Sequence, residues 1–346
     1  MTSTQNRQFR LAARPVGRVK PTDFNLVEAP IPEPGPNQVL VRNLYLSLDP
    51  TNRIWMSDQD QYMEPVALGD VMRGAGIGQV IRSNNPAVPV GTLMSGLIGW
   101  QDYVVVGGEK PAAVSPVPKG LGVPVEALMG VCGATGLTAY FGLMDVGQPK
   151  AGETVVVSAA AGATGSVVGQ IAKIVGCRVV GIAGSDAKCA WLRDELGFDA
   201  AVNYKAPDFR KQLKAACPNG IDVDFENVGG DILDTVLRYI NLRARIVLCG
   251  LIATYNAEKP VPGPYNIGNL LMRRARMEGF IILDYAPRYG EGVRQLATWY
   301  KEGRLKHRDT IVEGLEQAPT AINKLFDGEN TGKLMVKIAE APLPVP

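Results

Sequence analysis

Hydrophobic and polar positions follow two different patterns along this chain of 346 residues. Up to about residue 125, short apolar runs such as Val39-Leu40-Val41 and Tyr103-Val104-Val105-Val106 alternate with proline and glycine. Runs of this length bounded by turn residues predict short strands of an irregular β-barrel or sandwich. The first of these predicted strands covers residues 8–13.

After about Pro149 the chain alternates between β-branched strands and helical segments. The predicted strands cover residues 155–158, 178–183, 201–204, 223–226 and 246–249, and the predicted helices cover 164–175, 186–196, 209–216 and 232–240. Strand, helix and strand at this spacing are typical of a doubly wound parallel sheet of the α/β class.

The length of the chain indicates two domains, since one domain has about 150 residues. Residues 334–338 form a further predicted strand near the C-terminus, and its return to the first lobe would make the α/β domain an insertion. We therefore predict a β lobe of residues 1–125 and 312–346, and an α/β domain of residues 126–311.

Composition and charge exclude several classes of protein. Hydrophobic residues make up 46% of the chain, and 36 Lys and Arg balance 34 Asp and Glu, which indicates a globular protein without a nucleic-acid partner. The uncharged runs 127–144 and 154–172 reach the length of a membrane span. Glycine, serine and threonine interrupt both runs, so we predict buried elements and no membrane partner.

Cysteine and histidine usage restricts the chemistry. The five cysteines form no CxxC pair, which predicts a reducing, cytoplasmic location without a disulfide framework or a zinc knuckle. The only histidine, His307, lies between charged residues and is predicted to be solvated. A catalytic zinc or a Ser/His/Asp triad would need histidine at the site, so we expect chemistry without a metal.

A glycine-containing turn follows the first strand of the α/β part. It reads Ala160-Ala161-Gly162-Ala163-Thr164-Gly165-Ser166, an AxGxxG version of the dinucleotide fingerprint. The middle glycine lets backbone amides approach a pyrophosphate, and the last one lets helix and strand pack closely. Because the turn joins a strand to a helix, we predict dinucleotide binding by Gly162, Ala163, Thr164 and Gly165. The alternative is that these glycines serve packing alone.

The end of the second strand decides between NAD and NADP. An acidic residue about 20 positions after the glycines would hold a ribose diol, but the chain reads Ala183-Gly184-Ser185 there. Asp186 comes next and is interpreted as a helix N-cap, and Lys188 follows. A 2′-phosphate would find Ser185 and Lys188 at this point, so we predict NADP(H). The alternative for Lys188 is an ordinary surface lysine.

Several segments together resemble a known family. They are Ser47-Leu48-Asp49-Pro50, Ala159 to Ser166, Gly184 to Cys189, Glu226-Asn227-Val228-Gly229-Gly230, Cys249 to Asn256 and Gly328 to Lys333. The chain resembles the zinc-independent medium-chain dehydrogenase/reductases from nearly end to end. The resemblance points to the leukotriene B4 dehydrogenase/prostaglandin reductase branch, which includes bacterial curcumin reductase and plant alkenal double-bond reductases.

This resemblance implies a GroES-like β-barrel lobe, a Rossmann domain and an active site in the cleft between them. The implied activity is NADPH-dependent reduction of the carbon-carbon double bond in small-molecule enones and enals, by a homodimer paired through its Rossmann sheets. It also implies that Lys188 and Tyr204 meet the 2′-phosphate. The rest of the cofactor would be lined by Asn227, Cys249, Gly250, Tyr255, Phe280, Ile282 and Asn330.

The same resemblance implies a catalytic role for Tyr255. Its hydroxyl would donate to the enolate oxygen that develops on the substrate, directly or through the cofactor ribose. The alternative is a packing tyrosine at the rim of the site. Thr51 and Asn52 replace a Tyr-Met pair of the branch, and Ala134 and Thr135 replace Met-Pro.

Thr51 and Asn52, if they face the cleft, predict a wider and more polar pocket than is usual in the branch. Further candidates for the substrate pocket are Tyr62, Trp100 and Tyr103, with the core of the β lobe as their alternative location. Two alternative functions stay open. One is a zinc-free NADPH:quinone oxidoreductase, and the other is a non-catalytic NADPH-binding protein.

Overall fold

The computed structural model describes residues 5–108 and 113–344. Strands predominate at first: β1 (Gln5–Leu11), β2 (Phe24–Pro30), β3 (Gln38–Ser47), α1 (Thr51–Trp55), β4 (Ala75–Ser83), β5 (Leu93–Leu97), β6 (Tyr103–Gly107) and β7 (Val114–Pro116). Helices and strands then alternate: α2 (Val125–Met129), α3 (Ala134–Phe141), β8 (Thr154–Val157), α4 (Ala163–Val175), β9 (Arg178–Ala183), α5 (Asp186–Asp194), β10 (Ala200–Asn203), α6 (Phe209–Ala216), β11 (Ile221–Glu226), α7 (Gly230–Leu237), β12 (Ile240–Leu248), α8 (Gly268–Arg273), β13 (Arg276–Gly279) and α9 (Tyr289–Lys301). The last elements are β14 (Asp309–Glu313), α10 (Ala318–Ala321), α11 (Asn323–Asp327) and β15 (Lys333–Lys337).

The chain divides into two compact units. The first comprises residues up to 120, residues 310–329 and residues from 334 onward, and the second comprises 121–309 and 330–333. The sequence prediction put the boundaries at 125/126 and 311/312, with 330–333 in the β lobe. This short segment joins the second unit because the Gly332 N–H donates to the Ala161 carbonyl at 2.8 Å.

A seven-stranded sheet forms the frame of the first unit. Six strands follow in the order β14-β15-β3-β4-β5-β7, and β6 also pairs with β3. The tail strand β15 runs antiparallel to β3 and places Val336 opposite Leu46. Both side chains are buried with Phe9 of β1 in one apolar cluster, so the two ends of the chain share a core.

The second unit contains a six-stranded parallel sheet, which confirms the predicted doubly wound α/β fold. Its order is β10-β9-β8-β11-β12-β13, so the winding direction reverses between β8 and β11. All four residues of β8 are buried, as expected for a strand covered on both faces. In such sheets ligands bind outside the carboxyl ends of the strands at the point of reversal.

The sequence prediction was wrong about the start of β12. The helix predicted to reach residue 240 ends at Leu237, and Ile240 already pairs with Ile221 of β11. Exposed Leu242 and Arg243 interrupt the apolar pattern, and Arg243 has a φ of 61°. The pairing of β11 with β12 also shifts register after Ile221, and an apolar pattern does not reveal such a shift.

The predicted solvation of His307 was also wrong. Only 18% of its side chain is exposed, and its Nδ1 lies 3.0 Å from the Asp309 Oδ2. Its ring also packs on Tyr300 at 5.5 Å between centroids. Charged neighbours in sequence do not imply exposure here, because Tyr300 of the preceding helix α9 and Asp309 at the start of β14 cover the ring.

The two uncharged runs of the sequence form short elements of the second unit, with β8 and α4 in the second run. Across residues 5–108 and 113–344, no helix combines the length and the apolar character that crossing a membrane requires.

Asp224 is an exception inside the parallel sheet. It lies in β11 between Val156 of β8 and Ile246 of β12, and it is completely buried. Neither of its carboxyl oxygens has a hydrogen-bond partner among the described residues. Burial, together with the negative charge of Glu226, raises the pKa of the Asp224 carboxyl well above its ordinary value. The folded protein therefore favours the neutral acid at this position.

We predict that the Asp224→Asn variant gains stability relative to the parent as pH rises. The unfolded carboxyl releases its proton above a pKa of about 3.9, whereas the folded one keeps it to higher pH. Between the two pKa values the parent should lose about 1.4 kcal/mol of unfolding free energy per pH unit from this group. Urea unfolding at about pH 5.5 and about pH 7.5 measures the difference. An Asp231→Asn control alters an exposed carboxylate, and a pH-independent difference for Asp224→Asn would contradict the prediction.

Candidate cofactor and active site

The predicted glycine turn lies at the carboxyl end of β8 and begins α4. Gly162 is the N-cap of α4 and offers no side-chain acceptor to the first turn. The Ser166 N–H is the first to bond back, to the Gly162 carbonyl at 3.0 Å, so the amides of Ala163, Thr164 and Gly165 have no acceptor within the helix. Such amides at a helix N-terminus bind phosphate oxygens.

Close packing explains the last glycine of the turn. A Cβ atom on Gly165 would lie 2.5 Å from the Ala159 carbonyl oxygen. Ala159 itself has a φ of 47°, which is a left-handed conformation for a residue with a side chain. Ala160, which replaces the first glycine of the fingerprint, is fully buried, and its N–H donates to Ile182 in β9 at 2.9 Å.

Residues 330–333 run beside this turn. Gly332 forms an isolated parallel bridge with Gly162, and its φ of 66° together with a Cβ position 1.8 Å from the Arg308 carbonyl oxygen requires glycine. Asn330 is nearly buried, and its Nδ2 donates to the Gly332 carbonyl at 3.0 Å. The structure thus brings the predicted residue Asn330 to the glycine turn, where its side-chain amide supports the neighbouring backbone.

The ends of β9 and β10 form a positively charged corner. Ser185 caps α5, since its Oγ accepts from the Lys188 N–H at 3.3 Å. The Tyr204 ring covers Gly184, where an added Cβ would lie 3.0 Å from the ring. Lys205 follows, with its Nζ 5.9 Å from the Tyr204 ring centre. Burial and the positive charge of Lys205 both lower the pKa of Lys188, so an anion at this corner would relieve a real repulsion.

Asp186 is not the N-cap that the sequence suggested. It is the first residue of α5, and its Oδ1 accepts from the Asn203 Nδ2 at 2.9 Å. The hydroxyl of Ser185 fits the capping position instead because its backbone is extended there. The Asp186 carboxylate is therefore held by β10.

Asn227, Cys249 and Gly250 follow the ends of β11 and β12. The Cys249 N–H and the Gly250 N–H both donate to the Glu226 carbonyl, at 2.9 and 3.1 Å. Burial, with the negative charge of Glu226, raises the pKa of the Cys249 thiol to about 12. Cys249 is therefore a protonated thiol at neutral pH and not a nucleophile.

Tyr255 folds back over the end of β12. Its hydroxyl oxygen accepts from the Leu251 N–H at 2.9 Å. Gly250 leaves the space for this approach, since a Cβ there would lie 3.1 Å from the same oxygen. A phenol oxygen that accepts a hydrogen bond from a backbone N–H is fixed in place by that contact, and the phenol O–H is itself a donor group.

Phe280 and Ile282 follow the edge strand β13. The Phe280 ring packs at 6.3 Å from the Phe225 ring and fills the space beside Gly142. The Ile282 carbonyl accepts from the Tyr289 hydroxyl at 3.0 Å. Both side chains pack against the apolar core of the second unit, so the aromatic ring of Phe280 is turned into the protein.

Two of the substrate-pocket candidates lie elsewhere than predicted. Asn52 is completely buried: its Oδ1 accepts from the Asp49 N–H at 2.8 Å, and its Nδ2 donates to the Arg73 carbonyl at 3.3 Å. Trp100 is also completely buried and stacks on Phe24 at 5.2 Å. Asn52 supports the turn before α1, and Trp100 belongs to the core of the first unit, so neither can line an open pocket.

Of the other three candidates, Thr51 and Tyr62 keep some access and Tyr103 is 4% exposed. Tyr62 is 42% exposed, and its hydroxyl contacts the Thr51 hydroxyl and accepts from the Trp55 Nε1 at 3.1 Å. Tyr103 is mostly buried but lines a cavity of about 280 Å³ with four polar residues, Arg7, Arg42, Asn43 and Asp102. Thr51 and Tyr62 remain the polar candidates at the surface of the first unit.

Sequence reasoning missed three residues of the second unit. Ser158 and Glu226 join the ends of β8 and β11 through a side-chain hydrogen bond of 2.5 Å, and Lys205 adds charge beside Lys188. Lys205 directly follows the predicted Tyr204 and could have been found from that spacing. The partnership of Ser158 and Glu226 depends on the pairing of β8 with β11, which sequence spacing does not contain.

Comparisons with known proteins cover most of the chain. Residues 7–114 match the family described as N-terminal domain of oxidoreductase, and residues 163–298 match the family described as zinc-binding dehydrogenase. Within the part of the chain that the structure describes, no group of three or more His, Cys, Asp and Glu side chains is placed to hold a metal ion.

Individual relatives match over nearly their full length. NADPH-dependent curcumin reductase of Escherichia coli is 44% identical over 97% of both chains. The NADP(+)-dependent 2-alkenal reductase of Nicotiana tabacum is 40% identical over 96% of this chain and 98% of the relative. The crystal structure of CurA from Vibrio vulnificus in complex with NADPH superimposes with a TM-score of 0.89, at 45% identity over 96% of this chain and 99% of that one.

Proposed function

The chain belongs to the zinc-independent medium-chain dehydrogenase/reductases of the leukotriene B4 dehydrogenase/prostaglandin reductase branch, and from this premise we propose that it reduces the carbon-carbon double bond of α,β-unsaturated ketones and aldehydes with NADPH. The observation that best supports this activity is the grouping of the glycine turn, Asn227 and Tyr255 at the carboxyl ends of neighbouring strands. Relatives named for curcumin and 2-alkenal reduction support the proposed substrate class.

The residues of the second unit fit NADPH. The amides of Ala163, Thr164 and Gly165, which have no acceptor within α4, suit the pyrophosphate, which needs donors and has no proton to offer. Lys188 and Lys205 supply two positive charges to the 2′-phosphate, with the Tyr204 ring beside them. An NAD ribose diol would instead need an acceptor at this corner, and Asp186 is already bonded to Asn203.

We predict that Lys188→Ala weakens NADPH binding roughly tenfold, as expected for the loss of one charge-assisted hydrogen bond. Binding of NADH should stay unchanged, because that cofactor has no 2′-phosphate. Fluorescence titration of both nucleotides measures the effect. Lys173→Ala is the matched control, since Lys173 lies on α4 and pairs with Asp199 at 2.9 Å. Equal losses of NADPH and NADH affinity would refute the assignment of Lys188.

The proposed reaction needs one well-placed donor. Bound NADPH supplies a hydride to the β-carbon of the substrate, and negative charge then develops on the substrate carbonyl oxygen. The Tyr255 hydroxyl donates to that oxygen and stabilises the enolate, directly or through a ribose hydroxyl. The Leu251 N–H holds the phenol oxygen at 2.9 Å, so the donor is oriented before the substrate arrives. A solvent proton completes the product at the α-carbon.

We predict that Tyr255→Phe lowers enone turnover by about 10²-fold or more while NADPH still binds. Loss of NADPH absorbance in the presence of an alkenal, a cyclic enone and an aryl enone measures this turnover. Tyr239→Phe is the control, because that phenol precedes β12 and donates to the Arg210 carbonyl at 3.3 Å. Parent-like turnover by Tyr255→Phe would exclude the tyrosine as the donor.

The same assay tests the activity itself. A quinone panel with NADPH separates the proposed enone reductase from a quinone oxidoreductase, and NADH serves as the cofactor control. Consumption of NADPH with quinones but with no enone would overturn the proposed function. Binding of NADPH without consumption of any substrate would indicate a non-catalytic protein.

A homodimer is the assembly that we propose for this enzyme. The edge strand β13 pairs only with β12 among the described residues, which leaves one side of the strand open. Three large apolar side chains in the segment that precedes this strand are strongly exposed: Tyr265 by 87%, Leu271 by 77% and Met272 by 71%. An open strand edge and exposed apolar side chains are both surfaces that association with a second copy would bury.

We predict that the double variant Leu271→Glu, Met272→Glu shifts the protein toward monomers, because charge at these positions opposes their burial. Light scattering during gel filtration gives the mass of each species. Val16→Glu changes a residue that is 68% exposed in the first unit and should leave the mass unchanged. A parent protein that is monomeric at high concentration would rule out the dimer.

A further inference from the structure

Glu226 accepts five hydrogen bonds at the carboxyl ends of three strands. Its backbone carbonyl receives the N–H groups of Cys249 and Gly250 from the end of β12. Its side-chain Oε1 receives the Ser158 hydroxyl at 2.5 Å, the Val228 N–H at 2.6 Å and the Gly229 N–H at 3.0 Å. The residue is completely buried, so these contacts are made without competition from water.

Ser158 connects Glu226 to Asn227 through hydrogen bonds. Because its hydroxyl donates to Glu226, its oxygen lone pair is turned toward the Asn227 backbone N–H, which donates to it at 2.7 Å. The Asn227 side chain is bound by the same residue, since its Nδ2 donates to the Ser158 carbonyl at 2.7 Å. Ser158 therefore holds both the backbone and the side chain of Asn227.

This contact fixes which end of the Asn227 amide is offered to a ligand. A carbonyl can only accept, so the atom that faces Ser158 must be the nitrogen. The opposite atom, Oδ1, accepts no hydrogen bond from the described residues. Asn227 is partly exposed, so its oxygen is presented at the strand ends as an acceptor for a hydroxyl or an amide N–H.

We propose that Glu226 and Ser158 are positioning residues, which hold the Asn227 oxygen as the acceptor for a donor group on the nicotinamide half of NADPH. This inference rests on the proposed cofactor. Neither Glu226 nor Ser158 touches the cofactor in this role, because both are completely buried. Their effect reaches the ligand through the orientation of Asn227.

The role of Glu226 depends on its acceptor oxygen more than on its charge. Oε1 carries all three side-chain bonds, whereas Oε2 has no partner among the described residues. A glutamine keeps an acceptor oxygen of the same reach, and its amide nitrogen would occupy the Oε2 position. Glu226→Gln should therefore preserve the arrangement, and Glu226→Ala should remove it.

The test compares binding of two nucleotides by the purified full-length protein. NADPH contains both halves of the cofactor, whereas 2′,5′-ADP contains only the adenosine half with its 2′-phosphate. We expect Ser158→Ala and Glu226→Ala to weaken NADPH binding roughly tenfold, the cost of misplacing one hydrogen-bond acceptor, and to leave 2′,5′-ADP binding within about twofold of the parent. Glu226→Gln should bind NADPH within about twofold of the parent.

Thr235→Ala is the matched control for a lost buried hydroxyl. Thr235 lies in α7, is almost completely buried, and bonds to the Asp231 carbonyl at 2.7 Å. This variant should lose stability in urea without any change in either nucleotide affinity. It separates the expected effect on NADPH from a general loss of stability.

Two outcomes would overturn the proposal. Equal weakening of NADPH and 2′,5′-ADP by Ser158→Ala would show a general structural role, and parent-like NADPH binding by both alanine variants would show no role toward the cofactor. The proposed enone reduction can fail independently of this inference. If the parent protein binds NADPH but reduces no enone, the comparison of NADPH binding with 2′,5′-ADP binding still tests the roles of Ser158 and Glu226. A parent that does not bind NADPH removes the premise of both.

Discussion

The reversal of winding between β8 and β11 is the constraint on which the site depends. Two parallel strands that send their helices to opposite faces leave a gap at their carboxyl ends, and backbone groups there are not covered by a crossover connection. In this chain the gap is bridged by side-chain bonds of Ser158 and Asn227, among them the bond from Ser158 to Glu226. The glycine turn lies on one side of that bond, and the Asn227 loop lies on the other. The contact between Ser158 and Glu226 therefore positions both halves of the proposed cofactor site relative to each other.

Positive charge is concentrated at the proposed cofactor site, whereas the chain as a whole is nearly balanced in charge. The whole chain has a formal net charge of only +2, so no long-range field would concentrate a nucleotide at the protein. Attraction instead comes from short-range donors: helix amides at the glycine turn and two lysines at the ends of β9 and β10. The acidic side chain that directly follows this corner, Asp186, is held by a hydrogen bond from Asn203. The result is an anion site within an electrically balanced protein.

The sequence predicted the fold class, most strands and the position of the glycine turn, because these depend on periodicity and on short-range turn chemistry. It was wrong at positions where a distant segment decides the environment. Trp100 is packed on Phe24, and Asn52 is bonded to the Arg73 backbone. In each case the residue type is as compatible with the pocket location that the sequence predicted as with the buried location that the structure shows. The start of β12 was missed for a related reason, since its register with β11 shifts where the apolar pattern is interrupted.

The glycine turn itself shows how far local sequence can specify a site. Its helix, its cap and its close packing at Gly165 all follow from residues that are neighbours in sequence. The residues that lie beside the turn do not follow from its local sequence, because Asn330 and Gly332 come from the segment 330–333 near the C-terminus. Gly332 must be glycine there, since its φ is 66° and a Cβ atom would overlap the Arg308 carbonyl. Closing so long a loop costs conformational entropy before any contact is gained, so the amides of the turn reach their final surroundings only when the tail has returned. Binding of a nucleotide at the turn should then stabilise the placement of the tail, because a ligand that binds the complete arrangement favours it by mass action.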